Sequence, residues 1–166
     1  QLGRPERALE LYQQLAAEHP ENTEYQRSVD ATQDAFAYGQ RASDAFYAGL
    51  ALYYSGQIDQ AWLEFADAAR ANPNYRKAFV WAGRVALELG QPGDARAYWQ
   101  RAVDLDPRDE GAAYFLSVAR NQSRWGAEAF SAFESGLSLY NAGDLAGAEA
   151  QFAQATRLSP EYADAW

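Results

Sequence analysis

One histidine, His19, stands just before Pro20 and is the only imidazole in the 166 residues. A general base needs a nucleophile or a second titratable group held beside it. No motif in this sequence arranges one. His19 closes a helical pattern, where the negative end of the helix dipole favours an imidazole. The carboxylates Asp104, Asp106, Asp109 and Glu110 are spaced like the opening of a calcium loop. Pro107 interrupts that spacing, and the central Gly and twelfth-position Glu of such a loop are missing. A solvated junction between helices is the expectation here. Gly3, Gly90 and Gly93 do not cradle phosphate, because no strand pattern precedes them. There is no cysteine, so thiolate metal sites and disulfides are excluded. The sequence offers no constellation for catalysis. The expectation is a protein that is not an enzyme and uses no cofactor and no metal.

Charge narrows the partners. Asp plus Glu number 23 against 14 for Lys plus Arg, a formal net charge of −9 spread along the chain. Such a surface repels nucleic-acid phosphates and anionic lipid heads. A protein or peptide partner is therefore expected, with no nucleic acid. The longest strongly apolar stretch, residues 45–54, is about half of what a membrane span requires, so no membrane insertion is expected. The chain begins at Gln1, contains no Met and shows no leader. It reads as a piece of a longer protein, and the compartment is left open with the cytoplasm favoured. Lys77 is the single lysine, an arginine bias that often accompanies GC-rich bacterial genomes.

The elements follow from internal repetition. Four twenty-residue segments, starting at Gly3, Gly56, Gly90 and Gly143, align without gaps. Each carries Ala at its sixth place (Ala8, Ala61, Ala95, Ala148) and an aromatic at its tenth (Tyr12, Phe65, Trp99, Phe152). Each closes on Pro (Pro20, Pro73, Pro107, Pro160). The Gly ends a preceding helix. Ala and the aromatic, four apart, share one face of the next helix. Three of these helices have a partner helix just before them, over residues 42–55, 76–89 and 129–142, each with an internal Gly (Gly49, Gly83, Gly136). An internal Gly costs about 1 kcal/mol against Ala, so a close approach between the two helices is expected there.

These residues closely resemble the tetratricopeptide repeat family, whose 34-residue helix–turn–helix unit has small residues and a closing Pro at fixed places. The resemblance covers residues 42–75, 76–109 and 129–162 in full. Residues 1–20 match as a second helix alone, and 163–166 as the opening of a further repeat, with Trp166 at an aromatic place. Ala45 and Ala132 depart from the usual aromatic at the fourth place.

The closing prolines are spaced by 53, 34 and 53 residues, so an extra piece enters twice and a longer period of 87 residues emerges. Asn22 and Asp109 suit the N-caps of one additional helix in each piece. The expected helices are 5–18, 23–37, 41–54, 58–71, 75–88, 92–105, 110–121, 128–141 and 145–158. An alternative is one unbroken helix over 23–54. The fold class is then all-α, an αα-hairpin superhelix of tetratricopeptide type. It forms a single domain with half repeat 1–20, extra helices within 21–41 and 110–128, and repeats 42–75, 76–109 and 129–162. The extra helices are expected to change the curve locally.

The resemblance implies which side chains face a ligand groove. In 42–75 they are Ser43, Phe46, Leu50, Tyr53 and Tyr54; in 129–162, Phe130, Phe133, Leu137, Tyr140 and Asn141. In 76–109 they are Lys77, Val80, Arg84, Leu87 and Glu88, with Trp81 near the same face. Phe46, Tyr53, Tyr54, Trp81, Phe133 and Tyr140 are the candidate peptide-binding residues. Exposed aromatic surface implies a partner, here an apolar or basic segment of another protein. Alternatively the extra helices cover these rings. A second role is self-association through the terminal half repeats, where Leu2, Leu9, Tyr12 and Trp166 would lack neighbours.

Overall fold

The computed structural model describes residues 4–162, whose regular structure is entirely helical. Its helices are α1 Arg4–Glu18, α2 Thr23–Tyr38, α3 Gln40–Tyr54, α4 Ile58–Ala71, α5 Arg76–Glu88, α6 Pro92–Leu105, α7 Glu110–Trp125, α8 Ala127–Asn141 and α9 Leu145–Leu158. Leu2, Gly3 and the expected repeat opening at 163–166 with Trp166 lie outside the described residues.

Turn chemistry sets the boundaries. After α3, α5 and α8 the chain passes through Gly56, Gly90 and Gly143, all at positive φ. The next N–H groups reach back five residues: Gln57 to the Leu52 carbonyl, Gln91 to Ala86 and Asp144 to Leu139, at 2.9, 2.8 and 3.0 Å. These bonds satisfy carbonyls that a helix end would otherwise leave bare. Each closing Pro sits second in a four-residue turn, and the fourth residue donates to the carbonyl of the first (Asn22 to His19, Tyr75 to Asn72, Asp109 to Asp106, Tyr162 to Ser159). Proline pre-sets the φ that this place needs.

The fourth residue of that turn sets the character of the next element. Asn22 accepts from the Glu24 amide and Asp109 from the Ala112 amide, so each caps an extra helix, α2 or α7. Tyr75 and Tyr162 stand at the same place in the other two turns and are almost wholly buried. The ring of Tyr75 stacks 4.4 Å from Tyr38, the last residue of α2, and that of Tyr162 stacks 5.0 Å from Trp125, the last residue of α7. The aromatic at the end of each extra helix is thus clamped by the tyrosine of a turn.

The extra helices are separate elements, not the first halves of longer ones. Gly39 and Gly126 have φ of 94° and 88° with ψ of 146°, a region essentially confined to glycine. α3 and α8 begin on the very next residue. The Asn72 side chain braces the first break by donating to the Tyr38 carbonyl at 2.8 Å.

Contacts cluster into two compact units, Gln1–Ala82 and Gly83–Trp166. In the first, α1 packs on α2, α2 on α3 and α3 on α4; in the second, α6 on α7, α7 on α8 and α8 on α9. Of the repeated Ala and aromatic places, Ala61, Phe65, Ala95, Trp99 and Ala148 are buried. Phe152 is only partly buried. Phe65 is covered by Trp81 of α5, stacked at 5.3 Å, whereas Phe152 borders an open cavity.

Candidate functional site

Trp81 organises the aromatic surface of the first unit. Its ring lies flat on Phe65 and meets Tyr53 edge-on at 5.2 Å and Tyr54 at 6.4 Å. Tyr53 and Tyr54, adjacent at the end of α3, are 5.7 Å apart and nearly perpendicular. Edge-to-face pairs of this kind are worth about 0.5–1.5 kcal/mol beyond area burial. They hold the rings in place without covering them: Tyr54 is 72% exposed.

Phe46 is not part of that surface. It is 3% exposed and packs against Phe65, Tyr75 and Tyr47 at 5.7, 5.1 and 5.2 Å. The groove place inherited from the family pattern points inward here because the turn tyrosine Tyr75 closes over it. The rings touching Phe46 come from α3, α4 and that turn, not from α2. In the second unit Phe133 is half-buried against Phe152 and Tyr162. Tyr140 is 60% exposed and lines a cavity of ≈ 480 Å³ with Leu145, Phe152 and Thr156. Tyr53, Tyr54 and Trp81 are therefore in mutual contact, and Phe133 and Tyr140 both lie beside Phe152.

Two further features were not among the candidate binding residues. The first is Asp34 on α2, a carboxylate only 6% exposed. It accepts from the Tyr75 hydroxyl at 2.7 Å, the Tyr47 hydroxyl at 3.1 Å and the Lys77 ammonium at 2.9 Å. A buried charge persists only when paired and hydrogen-bonded, and this one is both. Burial and Asp34 together push the phenols of Tyr75 and Tyr47 well above their ordinary range. Lys77, a groove place in the family pattern, pairs with Asp34 while its side chain stays half exposed. The second feature is a stripe along α3. Gln40, Ser43, Asp44 and Tyr47 line one cavity of ≈ 370 Å³ with residues of α1 and α2. Tyr47, Leu50 and Tyr54 line a neighbouring one of ≈ 350 Å³ with Arg27. Their spacing of three and four places them on one helix face.

The candidate acids and base have local tasks. His19 Nδ1 lies 3.5 Å from the Glu21 carboxylate. Asp104 accepts from Gln100, Asp106 from the Arg108 amide, and Asp109 caps α7. Among the described residues no group of three or more His, Cys, Asp or Glu is placed to hold a metal ion. Among them, too, no helix is long and apolar enough to cross a membrane.

Comparison with known proteins agrees with this architecture. A family described as tetratricopeptide repeat matches residues 46–110, 82–135 and 133–166, and a second of the same description matches 1–22. The chain is also similar to "Cellulose synthase 2 operon protein C" of Komagataeibacter xylinus, 31% identical over 104 residues. That match covers 63% of this chain and 8% of the relative, so the chain spans a small part of the curated protein it resembles.

Proposed function

Because this chain belongs to the tetratricopeptide repeat family, a family whose members generally mediate protein–protein interaction, we propose that it is a scaffold that takes an apolar or basic segment of a partner protein on its exposed aromatic side chains. The observation that carries this reading is the cluster of Tyr53, Tyr54 and Trp81, fixed by mutual ring contacts while Tyr54 stays 72% exposed. Rigid aromatics of this kind dominate binding hot spots, because they bury much area and lose little freedom on binding. Tyr140, which like Phe133 lies beside Phe152, supplies a second such surface. Phe46 reaches the first only through Phe65, which carries Trp81, and serves as packing. The acidic surface favours a basic partner and speeds its approach more than it holds it. Since the similar protein is named for a cellulose synthase operon, proteins of a cellulose-synthesis system are the first partners to try. The test is a titration of the purified partner, recovered by affinity capture, against the protein and its Tyr54→Ala variant. A loss of at least about tenfold is expected for a hot-spot aromatic; equal affinity with helix content intact overturns the assignment.

A second reading, assembly by stacking, is favoured by one observation. Phe65 is covered by Trp81, which also meets Tyr53 edge-on, while Tyr140 and Phe152 border a cavity with the exposed Leu145. A helix from a further repeat or a second copy would fill it. Sedimentation of the protein against Leu145→Glu tests this: a shift to the smaller species supports stacking, and two unchanged monomers dismiss it.

A further inference from the structure

The cavity enclosed by α1, α2 and α3 has an uneven chemistry. One side is apolar, formed by Pro5, Ala8 and Ala35 with Phe36, whose ring is 48% exposed. The other side is polar, but its hydroxyls have committed their hydrogens elsewhere. Ser43 donates to the Ala31 carbonyl at 2.8 Å, Thr32 to the Ser28 carbonyl at 2.7 Å and Tyr47 to Asp34 at 3.1 Å. A hydroxyl has one hydrogen to give, so what these three have left to offer is lone pairs. Asp44 is the one formally charged residue in the lining; its Oδ1 accepts from the Gln40 side-chain amide at 2.7 Å, which leaves Oδ2 for a further donor. Two neighbouring cations are paired elsewhere: Arg41, next to Gln40, with Asp67 at 3.1 Å and Arg27, lining the adjoining cavity, with Glu24 at 2.8 Å. The opposing field is the partial positive start of α3, a fraction of the full charge on Asp44.

We infer that this cavity seats a basic side chain, lysine or arginine, of the partner protein, an inference that rests on the interaction role proposed above. A long aliphatic stem suits the Pro5, Ala8 and Ala35 wall, as such stems bury readily beneath a charged head. The head then finds acceptors and a carboxylate, with the Phe36 ring beside it as a further cation-binding face. Charge complementarity selects this occupant: an acidic side chain would meet Asp44 with like charge, an apolar one would leave the acceptors unpaired, and a neutral donor lacks the charge that strengthens the bond to a carboxylate. The site is specific to the first unit. At the matching places of the second, the larger Val118 and Phe130 replace Ala31 and Ser43, and Ser131 replaces Asp44.

The test uses two peptides, acetyl-Ala-Leu-Lys-Leu-Ala-amide and its norleucine analogue, titrated into the whole protein while backbone amide shifts are followed. The expected result is that the lysine peptide moves the amides of Ala31, Ala35 and Asp44 and binds about tenfold more tightly than its analogue, as a charge-assisted hydrogen bond warrants. Asp44→Asn should erase that preference without changing helix content. Equal binding of the two peptides, or binding of neither at the cavity, overturns the inference. Shifts centred on Tyr53, Tyr54 and Trp81 and indifferent to Asp44→Asn also overturn it, while leaving the interaction role standing. A third arm uses n-butylammonium: if it binds as tightly as the lysine peptide, the site is one for free amines and not for a partner protein.

Discussion

A Cβ added at Gly49 would lie 2.8 Å from the Phe65 ring, and one at Gly136 2.6 Å from Phe152. In an open helix, Gly→Ala gains about 1 kcal/mol. At Gly49 the overpacking term of about 1–3 kcal/mol opposes that gain, and Phe65 has no space to retreat. Gly49→Ala should therefore lower the melting temperature, whereas Gly93→Ala, with nothing within 4 Å, should not. Phe65→Ala should cost about 3–5 kcal/mol in denaturant unfolding. Gly49 was legible because its pattern repeats along the chain. Asp34 was not, because its partners lie 13, 41 and 43 residues away and the matching place 87 residues on is Asn121. Tyr75 and Tyr47 supply a pH test of that network. Their phenols are raised in the folded state, so their contribution is complete below the unfolded tyrosine pKa of about 10. It is lost as pH climbs above that value toward the folded ones. Stability should be level in this respect through neutral pH and fall in alkali, with a shallower fall in Tyr75→Phe, followed by tyrosinate absorbance during unfolding.

The joints between elements carry the next level of constraint. α2 and α3 meet at one residue, Gly39, and α7 and α8 at Gly126, both in backbone that alanine enters only with strain. Gly126→Ala should cost about 1–3 kcal/mol, visible as a lowered urea midpoint. No loss would mean that the joint is looser than its dihedrals indicate. Helix boundaries were otherwise readable to within one residue, since Gly, Pro and the capping residues each act through local sterics. The exception is α7, expected to stop at residue 121 and observed to continue to Trp125. Polarity misled there: Asn121 to Arg124 contains no helix breaker, and the helix runs on until Gly126. Arg124 then stacks over Trp125 at 4.2 Å. Why Phe46 is buried while Tyr54 is exposed was equally invisible, because both hold groove places and only the closure of Tyr75 separates them.

At the scale of the whole chain, the charge of −9 and the absence of a basic clamp decide which ligands are refused. Lys77 is tied to Asp34, and Phe46, Leu50, Val80, Phe133 and Leu137 hold places where acid-binding repeats of the family use cations or Asn, leaving Arg84 as the remaining basic residue among them. An acidic C-terminal peptide should give no saturable titration signal; low-micromolar binding abolished by Arg84→Ala would contradict this. The Asp34 pairing also has a bearing on biosynthesis. A nascent chain leaves the ribosome N-terminus first, and Asp34 must wait 43 residues for Lys77. At about 5–20 residues per second that is a delay of about 2–9 seconds, during which its carboxylate stays hydrated and Tyr38 has no Tyr75 to stack on. A chain arrested after residue 70 should leave the end of α2 open to hydrogen exchange, and one arrested after α5 has emerged should protect it, so that the first unit sets only when its own last residues have left the ribosome.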